Sequence, residues 1–158
     1  MMRVTENMKL TDNFTLDDFT YSQIASRRGI DNDLQKGMLE SAINLLGNVV
    51  EPVKAEFGTV YITSGYRCPA LNEALGSSKT SQHTKAQAAD LVVPNVTPYI
   101  VCKWIEDNLD FDQLILEFFD KKKGKGWTHV SYVSPEENRK SVLTINRNGV
   151  SAGLNLDL

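Results

Sequence analysis

A chain of 158 residues, 41% hydrophobic and 23% charged, has the length and composition of one folded domain with a substantial core. Its formal charge of −3 and scattered basic residues argue against nucleic-acid or membrane-surface binding. No run reaches the length of a membrane-spanning helix, the first residues lack a signal peptide's apolar core, and two cysteines are too few to imply a disulfide scaffold and exclude a four-thiolate zinc site. Cys68 and Cys102 read either as isolated thiols or as one bridge.

Residues 1–11 are polar and expected to be flexible, leaving 12–158 as a single domain. Phe14-Thr15-Leu16-Asp17-Asp18-Phe19 opens the ordered part. Thr15 can cap a short helix, with Asp18 at the position that answers a capping threonine, and Phe14 and Phe19 close its apolar side. Arg27-Arg28-Gly29 ends this segment. Apolar residues from Leu34 through Leu45, Val49 and Val53 to Phe57 then recur at helical separations, predicting a long amphipathic helix bent or interrupted by Pro52 and ended at Gly58.

Val60-Tyr61-Ile62-Thr63 has strand composition and runs into the turn Ser64-Gly65-Tyr66-Arg67-Cys68-Pro69, followed by a short helix around residues 70–75. A flexible approach over 76–81 leads to His83, and residues 88–93 read as a buried strand. Thr97 caps another helix, with Pro98 at its permissive first position and Ile100, Val101, Trp104, Ile105 and Leu109 on its core face. Three further strands are predicted at 111–118, 129–133 and 142–145. The mixture predicts an α+β fold, with helices packed around a small, mostly antiparallel sheet. The lysine run at 121–125 lies beside glycines and reads as a solvated loop.

The chain has two histidines, His83 and His129. Two neutral imidazoles and one carboxylate can hold a zinc ion and leave a coordination position open for water. Asp90, seven residues after His83, supplies the carboxylate if a loop followed by a strand points both inward, and His129 arrives from a neighbouring strand. A further carboxylate close by would accept a proton from water as it attacks an amide carbonyl.

Three segments carry a resemblance. Ser64-Gly65-Tyr66-Arg67-Cys68-Pro69, the spaced series Ser81, His83, Ala86, Ala88 and Asp90, and Trp127 with His129 resemble, in order, the segments of the M15 peptidases. The similarity is strongest to the branch of D-alanyl-D-alanine carboxypeptidases and phage endolysins that cleave L-alanyl-D-glutamate bonds. It extends from about Phe14 to Tyr132. It implies a fold of the Hedgehog and D-Ala-D-Ala-peptidase type, zinc (Zn2+) as cofactor, and His83, Asp90 and His129 as its ligands. It also implies that Arg67 positions the substrate and that Ser81 adds a hydrogen bond to it. The residues themselves leave local roles open: Arg67 can close its turn through Asp90, and Ser81 can satisfy nearby backbone. Tyr66 fits a peptide groove or the core equally well, whereas Trp127 fits a packing role behind His129.

Two positions depart from the family pattern. Ala86 stands where many relatives have glycine, and Gly126 stands where many carry an acidic general base three residues before the last histidine. Glu117 is the expected replacement base, because residues 113, 115 and 117 share one face of a strand. Asp120 is a second candidate.

The expected function is zinc-dependent hydrolysis of peptidoglycan stem peptides, as a carboxypeptidase or an endolysin-type endopeptidase. A phage lysin of this kind would stay in the cytoplasm until release to the cell wall, and a monomer is expected. The alternative is a catalytically inactive, metal-stabilised peptidoglycan-binding module or a structural phage protein.

Overall fold

The computed structural model describes residues 2–157. A six-stranded sheet packs the main hydrophobic core on one face and carries the candidate site on the other. Its strands are β3 (Tyr61–Ser64), β4 (Ala88–Val92), β5 (Gln113–Asp120), β6 (Lys125–Ser131), β7 (Ser141–Asn146) and β8 (Gly149–Ala152), in the order β3-β4-β6-β5-β7-β8. Only the β5–β7 pair is parallel; the other neighbours are antiparallel. The α+β expectation therefore holds. A separate two-stranded ribbon pairs β1 (Arg3–Val4) with β2 (Leu34–Gln35), and Leu10 is buried in the core. The leading segment thus contributes both a strand and a core side chain.

The first helices end where their side chains dictate. In α1 (Leu16–Thr20), the hydroxyl of Thr15 accepts from the backbone N–H of Asp18, and the Asp18 carboxylate accepts in return from the N–H of Thr15. This capping box satisfies two otherwise unpaired donors. Ser22 caps α2 (Gln23–Arg28), which stops at Gly29 in the left-handed region, φ 66°. The long predicted helix differs at its start and its middle. Leu34 belongs to β2, and helix begins only at α3 (Leu39–Leu45) after a 3-10 turn at Lys36–Met38. A π-helical turn (Leu46–Val50) then joins α3 to α4 (Glu51–Phe57), with the N–H of Glu51 donating to the carbonyl of Leu46 five residues back. Pro52 explains the widening: its ring crowds the carbonyl four residues earlier in a regular α-helix and offers no N–H.

Between β3 and β4 lies α5 (Pro69–Ala74), and Thr97 caps α6 (Pro98–Asn108) as expected. The core face of α6 is rotated from the predicted one. Ile100 is 50% exposed, while Cys102 is fully buried beside Val101 and Ile105. These residues pack with Leu45, Val49 and Val53 against Leu91, Leu114, Leu116 and Val130 of the sheet. Burial of such side chains stabilises the fold by about 1.5–3 kcal/mol each. Among the described residues no helix is long and apolar enough to cross a membrane.

Candidate metal centre

Strand register creates the site. Asp90 on β4 lies directly opposite His129 on β6, and His129 lies opposite Ile115 on β5. Directly opposed residues share a face, and so does Glu117, two positions beyond Ile115. Asp90, His129 and Glu117 therefore converge on the face opposite the one on which Leu91, Leu116 and Val130 join the main core. His83 reaches the same point from a 3-10 turn (Gln82–Lys85) just before β4.

That turn closes at Ala86, whose backbone is left-handed at φ 58° and ψ 31°. The conformation is the one glycine adopts freely, and alanine takes it at a cost of about 1–2 kcal/mol. The departure at Ala86 thus leaves the turn geometry intact. Its methyl group is fully buried in the core.

Nδ1 of His83 donates to the carbonyl of Gly65 at 2.7 Å, which fixes the ring and turns Nε2 toward Asp90 Oδ1 at 3.5 Å. Nδ1 of His129 donates to the same carboxylate oxygen at 3.0 Å. The two imidazoles meet edge-on, with centroids 5.2 Å apart. Taking one ligand atom from each of His83, Asp90 and His129, the three lie within 4.8 Å of one another. Zinc with bonds of about 2.0–2.2 Å needs tetrahedral edges of roughly 3.3–3.5 Å. The 3.0 and 3.5 Å separations bracket that requirement. The backbone bond to His83 is the kind of outer contact that orients a ligating imidazole. The donor set fits zinc.

Asp90 is almost fully buried, which by itself pushes its carboxyl upward, yet hydrogen bonds and charge from His129 and His83 hold it well below the usual carboxylate range. The two imidazoles thus favour the ionised form, the one that can ligate. Its other oxygen, Oδ2, accepts from Arg67 Nη2 at 3.3 Å, and Arg67 Nε donates to Ser64 Oγ at 2.9 Å. Arg67 consequently closes its turn through Asp90, the structural role left open by the sequence. Ser81 also works locally, since its hydroxyl accepts from the N–H of His83. Tyr66 lies in the core, 2% exposed, rather than along an open groove.

Glu117 brings Oε1 to 3.8 Å from His129 Nδ1. Burial, and then the negative charge of Asp90, raise its carboxyl above the ordinary value, against a partial pull downward from His129 and Arg67. A carboxyl raised in this way is a better proton acceptor near neutrality than an exposed one. Asp120 is placed differently: its Oδ1 accepts from the N–H groups of Lys122 and Lys123 and shapes the β5–β6 turn.

Beyond Glu117 the strand is irregular. The β5–β6 register shifts between Glu117 and Asp120, and Phe118 has a positive φ of 51°. This bulge carries the exposed Phe118 ring onto Trp127, with centroids 5.4 Å apart. Gly126 packs against the bulge at φ 111°, in a space that no β-carbon fits.

The profile of the Peptidase M15 family matches residues 12–131. The chain belongs to the M15 peptidase family. No curated protein matches it in sequence. The match spans His83, Asp90, His129 and Glu117 and ends at the close of β6. An M15 peptidase is a metallopeptidase, and the His-Asp-His group described above is its candidate metal site. The sequence alone did not reveal the parts that four further residues play around this centre. Gly65 orients His83 through a backbone carbonyl, which leaves no side-chain signal. Ser64 supports Arg67 from within the same six-residue motif. Asp112 and Arg139, which flank the adjoining groove, become partners only in the fold.

Proposed function

We propose that this chain is a zinc-dependent peptidase that hydrolyses peptide bonds in peptidoglycan stem peptides, with His83, Asp90 and His129 as ligands. The observation that carries the reading is the convergence of three donor atoms within 4.8 Å of one another, with a fourth acidic side chain, Glu117, beside them. A bound zinc ion supplies a Lewis acid for the scissile carbonyl and a water of lowered pKa.

The protein's own groups do the rest. In the tautomer that carries its proton on Nε2, His129 Nδ1 would ligate beside Asp90 Oδ1, which it faces at 3.0 Å. Glu117 takes a proton from the attacking water at a carboxylate oxygen and returns it to the leaving amine nitrogen. Arg67 holds Asp90 Oδ2 and directs remaining N–H groups to a substrate oxygen. Ser81 keeps the His83 turn closed.

The test uses zinc-loaded protein, stem peptides and product identification by mass spectrometry, with chelated protein as the control. Release of terminal D-alanine identifies a carboxypeptidase, and internal cleavage an endopeptidase. Glu117→Gln should retain zinc while turnover falls by about 10²–10⁴-fold. Zinc-loaded protein that binds the peptides and cuts none of them would instead identify a binding module.

A further inference from the structure

We infer that Arg139 forms a carboxylate-binding subsite in the groove leading away from the metal centre, so that the preferred peptide carries an acidic group about three residues from the bond that is cut. The inference rests on the peptidase reading above for the identity of that bond.

A groove of about 830 Å³ runs from His129 past Ile115 and Gln113 to Arg139. At its far end stands an asymmetric ion pair. Arg139 Nε donates to Asp112 Oδ1 at 3.0 Å and Nη2 to Oδ2 at 2.8 Å, while the Arg139 backbone N–H also donates to Oδ1 at 3.0 Å. The Asp112 side chain is 3% exposed and that of Arg139 60%. A buried carboxylate thus fixes the direction of an exposed guanidinium.

A guanidinium has five N–H groups in a rigid plane, and Asp112 engages one on Nε and one on Nη2. Both protons of Nη1 and the second of Nη2 have no partner among the described residues. Two of these form a second parallel fork, the geometry that matches a carboxylate. Lys85 and Glu137 line the same groove with opposite signs. Selectivity therefore comes from fixed N–H direction rather than from net charge.

The spacing follows from register. Asp112 precedes Ile115 by three residues, and Ile115 is the cross-strand partner of His129. At about 3.3 Å per residue the two ends of the groove are roughly 10 Å apart, a span of about three residues for an extended peptide. Asp112 also accepts from Gln82 Nε2 at 3.0 Å, and Gln82 is the residue before His83. One buried carboxylate anchors both the subsite and the turn that carries a metal donor. Arg139 lies beyond the segment that the family profile matches, so family membership does not assign it this role.

The experiment compares two stem peptides that differ only by a carboxylate or a carboxamide at the third residue from the cleaved bond. Binding to the full chain is measured by calorimetry and cleavage separately by mass spectrometry. The wild type should bind the carboxylate peptide about tenfold more tightly, the low end for a hydrogen bond to a charged group. Arg139→Gln should abolish that preference through KM, with kcat changed less than about twofold. If Arg139→Gln does not fold, Arg139→Lys carries the test, because it keeps a cation on Asp112 and removes the second fork. Equal binding of the two peptides by the wild type, or a preference that survives substitution of Arg139, would overturn the inference. Preference without cleavage by the zinc-loaded chain would sustain the subsite and reject the peptidase reading, and cleavage without preference would do the reverse. Failure to bind either peptide would reject both.

Discussion

A β-carbon on Gly126 would stand 2.7 Å from the carbonyl oxygen of Glu117. The same atom would meet Phe119 Cα at 2.7 Å and Phe118 C at 2.8 Å, and Gly126 holds φ 111°. The acid that many relatives place at this position cannot be installed on this backbone. The bulge that forbids it starts at the very residue that turns its carboxylate toward His129. Gly126→Asp should therefore lose about 2–5 kcal/mol of stability from crowding and backbone strain, and should not restore activity to Glu117→Gln. Urea unfolding and a rescue assay on the double variant check both parts; a stable, rescued double variant would refute this account.

Metal removal should be visible as a loss of stability. A cation held at 1,000 times its dissociation constant stabilises the folded state by about 4 kcal/mol. For a chain of this length that is a Tm shift on the order of 10 °C. Thermal scans with zinc and with chelator should differ by this amount in the wild type and coincide in His83→Ala. A persistent zinc-dependent shift in that variant would remove His83 from the ligand set.

The Asp112 carboxyl is held below its ordinary value first by Arg139's side-chain hydrogen bonds, with Gln82 adding to them, while burial pushes the other way. A carboxyl depressed in the folded state stabilises the fold above its unfolded pKa of about 3.9 and loses that contribution as pH falls through the folded value. Asp112→Asn should thus cost about 1.5–3 kcal/mol at pH 7, and the gap from wild type should shrink below about pH 4. Unfolding curves at pH 7, 5 and 3 measure it. A gap that widens toward low pH would contradict the assignment.

Both cysteines are free thiols, which decides between the two readings the sequence left open. Burial pushes the Cys102 thiol up to about 12, and Cys102 contacts Thr128 Oγ1 at 3.3 Å, whereas Cys68 is partly exposed. A thiol reagent should modify one cysteine in the native protein and two in denaturant. Two equivalents taken up at equal rates under native conditions would count against the packing of α6 on the sheet.

The amino-acid sequence by itself determined the local pieces and the candidate donor set. Thr15 with Asp18 and Thr97 with Pro98 announce helix starts because capping is a short-range matter of side-chain hydrogen bonds. His83, Asp90 and His129 stand out because zinc chemistry restricts the residue types that can ligate it. The start of the long helix and the core face of α6 were not legible. Leu34 pairs with Val4, thirty residues earlier, and Cys102 replaces Ile100 in the core because a neighbouring strand covers that side. Only tertiary structure decided how the site is arranged. The register of β4 on β6 puts Asp90 opposite His129, the bulge after Glu117 makes Gly126 obligatory, and Asp112 finds Arg139 across 27 residues. Each depends on which strands lie side by side, and that choice is made by burial of the whole sheet face rather than by any residue's local preference.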